Sequence, residues 1–331
     1  MELMILGGQT YSLGLDVGGT KCAVVLGRGE ISADAGRFIL DRIEFPTDQP
    51  RGWRAVMDEF FRCVDVILQR NGIKAEQLVG IGVSCGGPLN SRTGLVKCPP
   101  NLPDWDDVPV TAMLEERYGV SAYLQNDANA CAVAEWRFGA GRGYDNLIFL
   151  TFGTGMGAGL ILGGRLYTGA NDMAGEVGHI RLKDDGPLGY GKNGSFEGFC
   201  SGGGIAKLAA IMLREHQKSG GETSLFENNL SAKTVAEAAN LGDLLAMEIY
   251  RECARHLGLG LSILIDVINP QAIIIGSIFG RAHNLLEEEM FKTLKKEAIP
   301  LSLGACEISP AQLGDSIGDY AALGLAFNGK E

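Results

Sequence analysis

The sequence predicts an α/β protein built from two similar halves, and three observations predict it. Two glycine-rich turns stand in equivalent settings, Asp16-Val17-Gly18-Gly19-Thr20-Lys21 and Thr151-Phe152-Gly153-Thr154-Gly155-Met156-Gly157-Ala158-Gly159. Each follows an apolar run that reads as a strand and leads into another, so residues 11–27 and 146–162 echo one another as an internal repeat. Residues 79–84 then read as a buried strand running straight into Cys85-Gly86-Gly87-Pro88, a strand-end turn of the kind that carries ligands in open α/β sheets. Turns without side chains expose backbone N–H groups, which suit phosphate oxygens. A chain that builds such a turn twice is expected to hold a nucleotide between its halves, which favours an enzyme over a scaffold.

The remaining elements follow in order. Residues 11–17 and 22–27 form a predicted β-hairpin around the first turn. Apolar spacing predicts a helix over 53–70, stopped by Asn71-Gly72. Pro99 to Trp105 is a rigid loop, with Trp105 as its anchor; a short helix follows at 109–118 and a strand at 120–124. Asp127 opens a helix that runs to Phe138 and is broken by Gly139, Gly141 and Gly143. Strands are expected at 146–152 and 158–162, helices at 202–217 and 243–265, and a strand at Ala272–Ile275 ending in Gly276-Ser277. A helix over 281–298 and a small-residue helix over 316–327 close the chain, while 218–232 reads as a surface excursion. The domain boundary is expected near 125.

Composition narrows the function classes. With 331 residues and 46% hydrophobic content, the chain can fill a core for two domains. Its formal net charge of −11 repels nucleic acid, though a local field can still take an anionic substrate. The eight cysteines include no CxxC pair and read as reduced thiols. No leader pattern and no run of 18 apolar residues occurs, so the expectation is a cytoplasmic protein without a membrane partner.

Five motifs come in a fixed order: Asp16 to Lys21, Pro100-Asn101-Leu102, Asn126-Asp127-Ala128-Asn129-Ala130, Thr151 to Gly159, and Gly175-Glu176-Val177-Gly178-His179. Together they resemble the ROK family of bacterial sugar kinases and sugar-responsive repressors over nearly the whole chain. The resemblance implies the actin-like ATPase (ribonuclease H-like) fold, two α/β domains around a cleft. It assigns 1–125 to the N-terminal domain, completed by 316–331, and 126–315 to the C-terminal domain. Repressors of the family carry an extra N-terminal helix-turn-helix domain; about ten residues precede the first predicted strand here, which favours the kinase branch. Family kinases imply a homodimer as well. One element departs. Where many members have a zinc motif, CxCGxxGCxE, this chain has Leu188, Tyr190 and Ser195 in place of the cysteines and keeps Glu197. His179 alone cannot make a structural zinc site, which wants four N or S ligands, so no structural zinc is expected.

Carried onto this chain, the resemblance makes Asp127 the general base for phosphoryl transfer to a sugar hydroxyl. A helix start there is expected to lower its pKa and keep it ionised; standing alone, it would read as a plain N-cap. Asp16 is expected to hold Mg²⁺, directly or through water, near the transferring phosphate of ATP; its plain alternative is a cap on the hairpin turn. Gly18, Gly19, Thr20 and Lys21 on one turn, and Gly153, Thr154, Gly155 and Gly157 on the other, are the nucleotide-binding set, with Lys21 equally able to face solvent. Gly276 and Ser277 bring backbone to the adenosine. Asn101, Asn126, Asp127, Glu176, His179 and Glu197 are the sugar ligands, and Gly86 lets backbone approach the sugar. Gly318 reads as hinge packing by fold analogy.

Two functions follow. The first is an ATP-dependent kinase acting on a hexose, glucose foremost, with mannose, fructose, allose and the N-acetylhexosamines as alternative substrates. The second is a non-catalytic sugar-sensing protein, which would have no need for Asp127.

Overall fold

A computed structural model describes residues 9–29 and 38–327. The expectations that touch 1–8 and 328–331, ahead of the first strand and at the end of the last segment, lie outside the described residues. The chain divides into two compact units: Met1–Gly143 with Thr168–Asp172 and Gln312–Glu331, and Tyr144–Tyr167 with Met173–Ala311.

In the first unit, β1 (Tyr11–Val17), β2 (Lys21–Arg28), β3 (Ile39–Pro46) and β4 (Leu78–Cys85) join β8 (Ala122–Asn126) in one sheet, ordered β3-β2-β1-β4-β8. The first three strands are antiparallel; β4 and β8 add on in parallel. Helix α1 (Gly52–Asn71) forms because Val56, Met57, Phe60, Val64, Ile67 and Leu68 recur on one face, and that face is buried. Each such side chain contributes about 1.5–3 kcal/mol when fully buried. Gly72 ends the helix in the left-handed region (φ 66°). Three short strands, β5 (Leu89–Asn90), β6 (Leu95–Val96) and β7 (Val108–Pro109), make a small second sheet ahead of α2 (Val110–Tyr118). Trp105 is 2% exposed beneath them and anchors the loop. Helix α3 (Asp127–Phe138) continues the same unit past the Asn126-Asp127 turn, packed on α11 (Ile317–Leu325). Phe38, Phe138 and Tyr320 close that second layer, with ring centroids 4.6 Å and 5.3 Å apart. Gly82 lets α11 lie directly on β4, since a Cβ there would strike the Ala322 carbonyl.

The second unit repeats the plan. Strands β9 (Leu147–Phe152), β10 (Met156–Leu162) and β11 (Arg165–Tyr167) form an antiparallel run. A two-strand hairpin, β12 (Leu188–Gly189) and β13 (Lys192–Asn193), and four helices come next: α4 (Phe196–Phe199), α5 (Gly202–Lys218), α6 (Ala232–Asn240) and α7 (Leu244–Ile268). Then β14 (Ala272–Ile275), α8 (Ile278–Arg281), α9 (His283–Glu297), α10 (Pro300–Gly304) and β15 (Glu307–Pro310) complete it. The sheet order is β11-β10-β9-β14-β15, with β14 and β15 parallel. Its core joins Ile148, Leu150, Ile273 and Ile275 of the sheet to Leu257, Leu261 and Ile265 of α7 and to Leu286, Met290 and Leu294 of α9. Among the described residues no helix is long and apolar enough to cross a membrane.

Three expectations shift. The strand expected at 120–124 lies at Ala122–Asn126, because parallel pairing with β4 sets its register, Ile81 to Ala122 through Cys85 to Asn126. The helix expected over 281–298 is α9, His283–Glu297; the short α8 precedes it, parted from it at Ala282 (φ −122°), where the chain turns to bury Ala282 and Phe279. The surface excursion at 218–232 contains a short helical turn, Glu227–Asn229, and ends in the Ser231 capping box of α6.

Candidate functional site

The first glycine turn is held by two side chains, Thr47 and Gln49. Thr47 Oγ1 donates to the Gly18 carbonyl at 2.6 Å, and Gln49 Nε2 donates to the carbonyls of Gly19 (2.9 Å) and Asn101 (2.7 Å). A Cβ on Gly19 would sit 2.8 Å from the Asn101 carbonyl, so this glycine is what lets the two loops meet. Thr20 is exposed. Lys21 turns outward, its ammonium 2.9 Å from Glu44 Oε2 in an exposed ion pair. Gly86 has the Asn101 amide beside it, 3.3 Å from where a Cβ would stand.

Asp16, half-buried at the end of β1, lies against Gly318. Burial, then the carboxylates of Asp319 and Asp127, push its carboxyl up to about 6, against the opposing pull of Arg42 and Lys21. Arg42 is committed elsewhere: its Nε reaches both oxygens of Asp319 at 3.0 Å and its Nη2 reaches Glu44 Oε2 at 2.7 Å.

Asp127 is the first residue of α3, and here an expectation is corrected. Its carboxyl is raised, not lowered: desolvation by the surrounding protein outweighs the backbone N–H of Ala128, which donates to Oδ1 at 2.8 Å. The group is nonetheless open to water at its surface. The N-cap is Asn126, whose Oδ1 accepts from Asn129 N at 2.8 Å. Burial raises the thiols of Cys85 and Cys131, which stay neutral beside these carboxylates.

In the second unit, the turn between β9 and β10 packs on the start of α5. Gly202 N donates to Gly153 O at 2.7 Å and Gly203 N to Thr154 O at 3.3 Å. Thr151 Oγ1 accepts from Gly157 N at 2.8 Å, bracing the hairpin, and Thr154 is exposed. Glu197, on α4, does more than its expected sugar contact: its Oε2 accepts from Met156 N at 3.1 Å and so buttresses this turn. Glu176 and His179 are both exposed, the first just before the helical turn Val177–His179 and the second its last residue. Gly276 N donates to Leu150 O at 2.9 Å, and Ser277 takes φ 52°, a conformation in which glycine would be less strained. Next to Ser277 lies a cavity of about 430 Å³ walled by Ala232, Ala236, Tyr250 and Ile278, with Asn240 and Arg281 among its polar lining.

Sequence reasoning missed Gln49, Gly202–Gly203 and this cavity. The run Ser201-Gly202-Gly203-Gly204 opening a helix was a usable signal; Gln49 and the cavity walls carry none, because only folding brings them to their partners. For Mg²⁺ the donor set fits: it keeps several waters and takes one or two carboxylates plus substrate phosphates, which Asp16 beside a glycine turn can provide. For zinc it does not fit. Ser195 Oγ is spent between Gly189 O and Gly198 N, and no group of three or more His, Cys, Asp or Glu converges among the described residues.

The ROK family model matches residues 12–328. The chain belongs to the ROK family. It is 32% identical over 313 residues to the glucokinase of Halalkalibacterium halodurans, covering 93% of this chain and 92% of that one. Among solved structures, the ROK family glucokinase of Streptomyces griseus in complex with glucose and AMPPNP matches with a TM-score of 0.71 and 31% identity, over 96% of this chain and 99% of that one. The ROK hexokinase of Thermus thermophilus gives 0.78 and 27%, over 97% and 99%. These likenesses set an α/β fold with mixed sheets, consistent with the actin-like ATPase fold of ROK proteins, and glucokinase-like relatives at moderate identity.

Proposed function

We propose that this ROK protein is an ATP-dependent sugar kinase that transfers the γ-phosphate to a hexose hydroxyl, glucose at its 6-hydroxyl foremost. The observation that carries the reading is Asp127: a water-accessible carboxylate whose affinity for a proton is raised by burial, near Asp16 in the same unit. A binder has no need of such a base, and a base works best with its pKa brought toward the working pH. In the reaction the sugar oxygen attacks the γ-phosphorus, the bond to the β,γ-bridging oxygen breaks, and the hydroxyl proton goes to Asp127. Asp16 would hold Mg²⁺, which when bound offsets the charge of the phosphates. The two glycine turns offer N–H groups to the phosphate oxygens, and the apolar cavity beside Ser277 suits an adenine ring.

Asn101, Asn126, Glu176, His179 and Glu197 supply both acceptors and donors for ring hydroxyls. The glucokinase names of the relatives support glucose as the sugar. The ribonuclease H-like kinship, the cytoplasmic location and a homodimer are parts of the same proposal; light scattering reads the last.

A coupled assay with ATP, Mg²⁺ and a sugar panel tests it. The expected result is turnover with a specificity constant for glucose at least about tenfold above those for N-acetylglucosamine and N-acetylmannosamine. A higher value for an acetamido sugar overturns the glucose assignment and leaves the kinase standing. Sugar binding without turnover favours the sugar-sensing protein.

A further inference from the structure

The segment that departs from the family's zinc motif folds as the β12–β13 hairpin, with Leu188 opposite Asn193 and Gly189 opposite Lys192. Its two turn residues, Tyr190 and Gly191, both have positive φ, 51° and 72°. That is the geometry of a two-residue hairpin turn that favours Asn, Asp or Gly at the first position, so tyrosine there is strained. It is also 59% exposed, so burial does not explain it. What its ring meets is His179: the centroids are 5.2 Å apart with the planes at 61°, an edge-on contact. Two residues on, Lys192 Nζ donates to the His179 carbonyl at 2.8 Å. The hairpin that carries both is itself fixed, by Ser195 Oγ donating to Gly189 O at 3.0 Å, Arg181 Nη1 to Asn193 O at 2.9 Å and Lys207 Nζ to Leu188 O at 2.6 Å.

We propose that Tyr190 and Lys192 are positioning residues that clasp His179 from side chain and backbone and fix the orientation in which its imidazole meets the sugar. This rests on the reading of His179 as a sugar ligand. The aromatic edge limits rotation of the imidazole ring, and the ammonium pins the backbone from which that ring projects. A ligand held in its bound rotamer loses less freedom when the sugar arrives. The strained turn is then retained because the residue that would relax it has no ring to offer.

Tyr190→Gly separates this role from a structural one, because glycine relieves the turn while removing the clasp. The expected result is an unchanged or higher melting temperature together with a loss of glucose affinity of about threefold to tenfold, with the KM for ATP held within about twofold. Tyr190→Phe keeps the ring and restores the affinity. Lys192→Met costs about twofold to tenfold in glucose affinity. In a His179→Ala background Tyr190→Gly costs nothing more. The four histidines also allow a readout without sugar: in imidazole NMR spectra Tyr190→Gly moves the His179 signal through loss of the ring current, and leaves those of His216, His256 and His283 in place. Equal losses with and without His179, or an unmoved His179 signal, overturn the clasp. If the unaltered protein neither binds nor phosphorylates any sugar of the panel, the kinase reading is what fails, and the NMR comparison decides the clasp by itself.

Discussion

The two units carry the same sheet order and the same turn, yet they equip it differently. Asp16 pairs with Ala23 in the first hairpin, and Thr151 pairs with Gly157 in the second, each one residue before the last of its strand. The equivalent position is thus a carboxylate in one unit and a hydroxyl in the other. The first turn is braced by neutral groups, Thr47 and Gln49, and leaves its carboxylate beside Asp127 and Asp319. The second spends Thr151 on the hairpin itself and takes Glu197 as a buttress at Met156. One repeated frame therefore offers N–H groups to anions twice, while the carboxylates with raised pKa values gather in one copy. The two units thus share the backbone frame and differ in the side chains set in it.

The largest expected effect breaks the comparison at its sharpest point. Asp127→Asn should lower kcat by about 10²- to 10⁴-fold with sugar affinity retained, whereas Thr151→Val, in the unit without that base, should cost no more than about tenfold. Turnover and calorimetric sugar binding, measured separately, check both; near-normal turnover in Asp127→Asn sinks the base assignment.

Next comes pH. Asp16 has to be ionised to take the cation, and its carboxyl lies at about 6, with Asp127 also raised. The kcat/KM profile should fall on the acid side from about pH 6, with apparent pKa values belonging to the coupled pair. Stability runs the other way. Between the ordinary carboxylate value of 3.8 and about 6 the native state holds more protons than the unfolded one, so stability is lost as pH rises through that window. Asp16→Asn should then be more stable at pH 7 by about 1–2 kcal/mol, after discount for partial exposure, while losing activity. Chemical denaturation at about pH 5 and pH 7, on either side of the carboxyl's pKa, reads the sign; equal stability of the two proteins at pH 7 counts against it.

A smaller effect belongs to the second turn. Glu197→Gln weakens the bond to Met156 N and should raise the KM for ATP by about threefold to tenfold, because a turn that has lost its support holds phosphate less well. A change confined to the KM for sugar would show that the buttress does not matter to the nucleotide. The smallest effect is none at all: purified protein from zinc-supplied medium should hold no stoichiometric zinc and keep its melting temperature under chelation, because the Ser195 hydroxyl and the hairpin hydrogen bonds already tie this segment together. One tightly held zinc per chain refutes that.

Much of the frame was legible in the residues. The β1–β2 hairpin, α1, α3 and β14 follow from apolar runs, 3.6-residue spacing and glycine stops, and these are local signals. Strand β3 is hard to see in the residues although Ile39, Asp41, Ile43 and Phe45 alternate with more exposed neighbours, because Asp41, Arg42 and Glu44 interrupt its apolar run. Helix α6 went unseen behind the Gly- and Ser-rich run, although Ser231 and Thr234 form its capping box. Strand β15 is short and becomes a strand only through its pairing with β14.

By itself the sequence determined the α/β class, the twofold repeat of strand, glycine turn and strand, the family, and the residue types offered for chemistry. Each of these is written in nearest neighbours and spacing, which the chain carries before it folds. Only the tertiary structure decided the sign of the Asp127 shift, the commitment of Lys21 to Glu44, the second task of Glu197, the Asn101 amide beside Gly86, and the contact of Tyr190 with His179. Desolvation and hydrogen-bond partnership depend on atoms far away along the chain. No local pattern reports them, and a helix N-terminus that should lower a carboxyl can be outweighed by the protein packed around it.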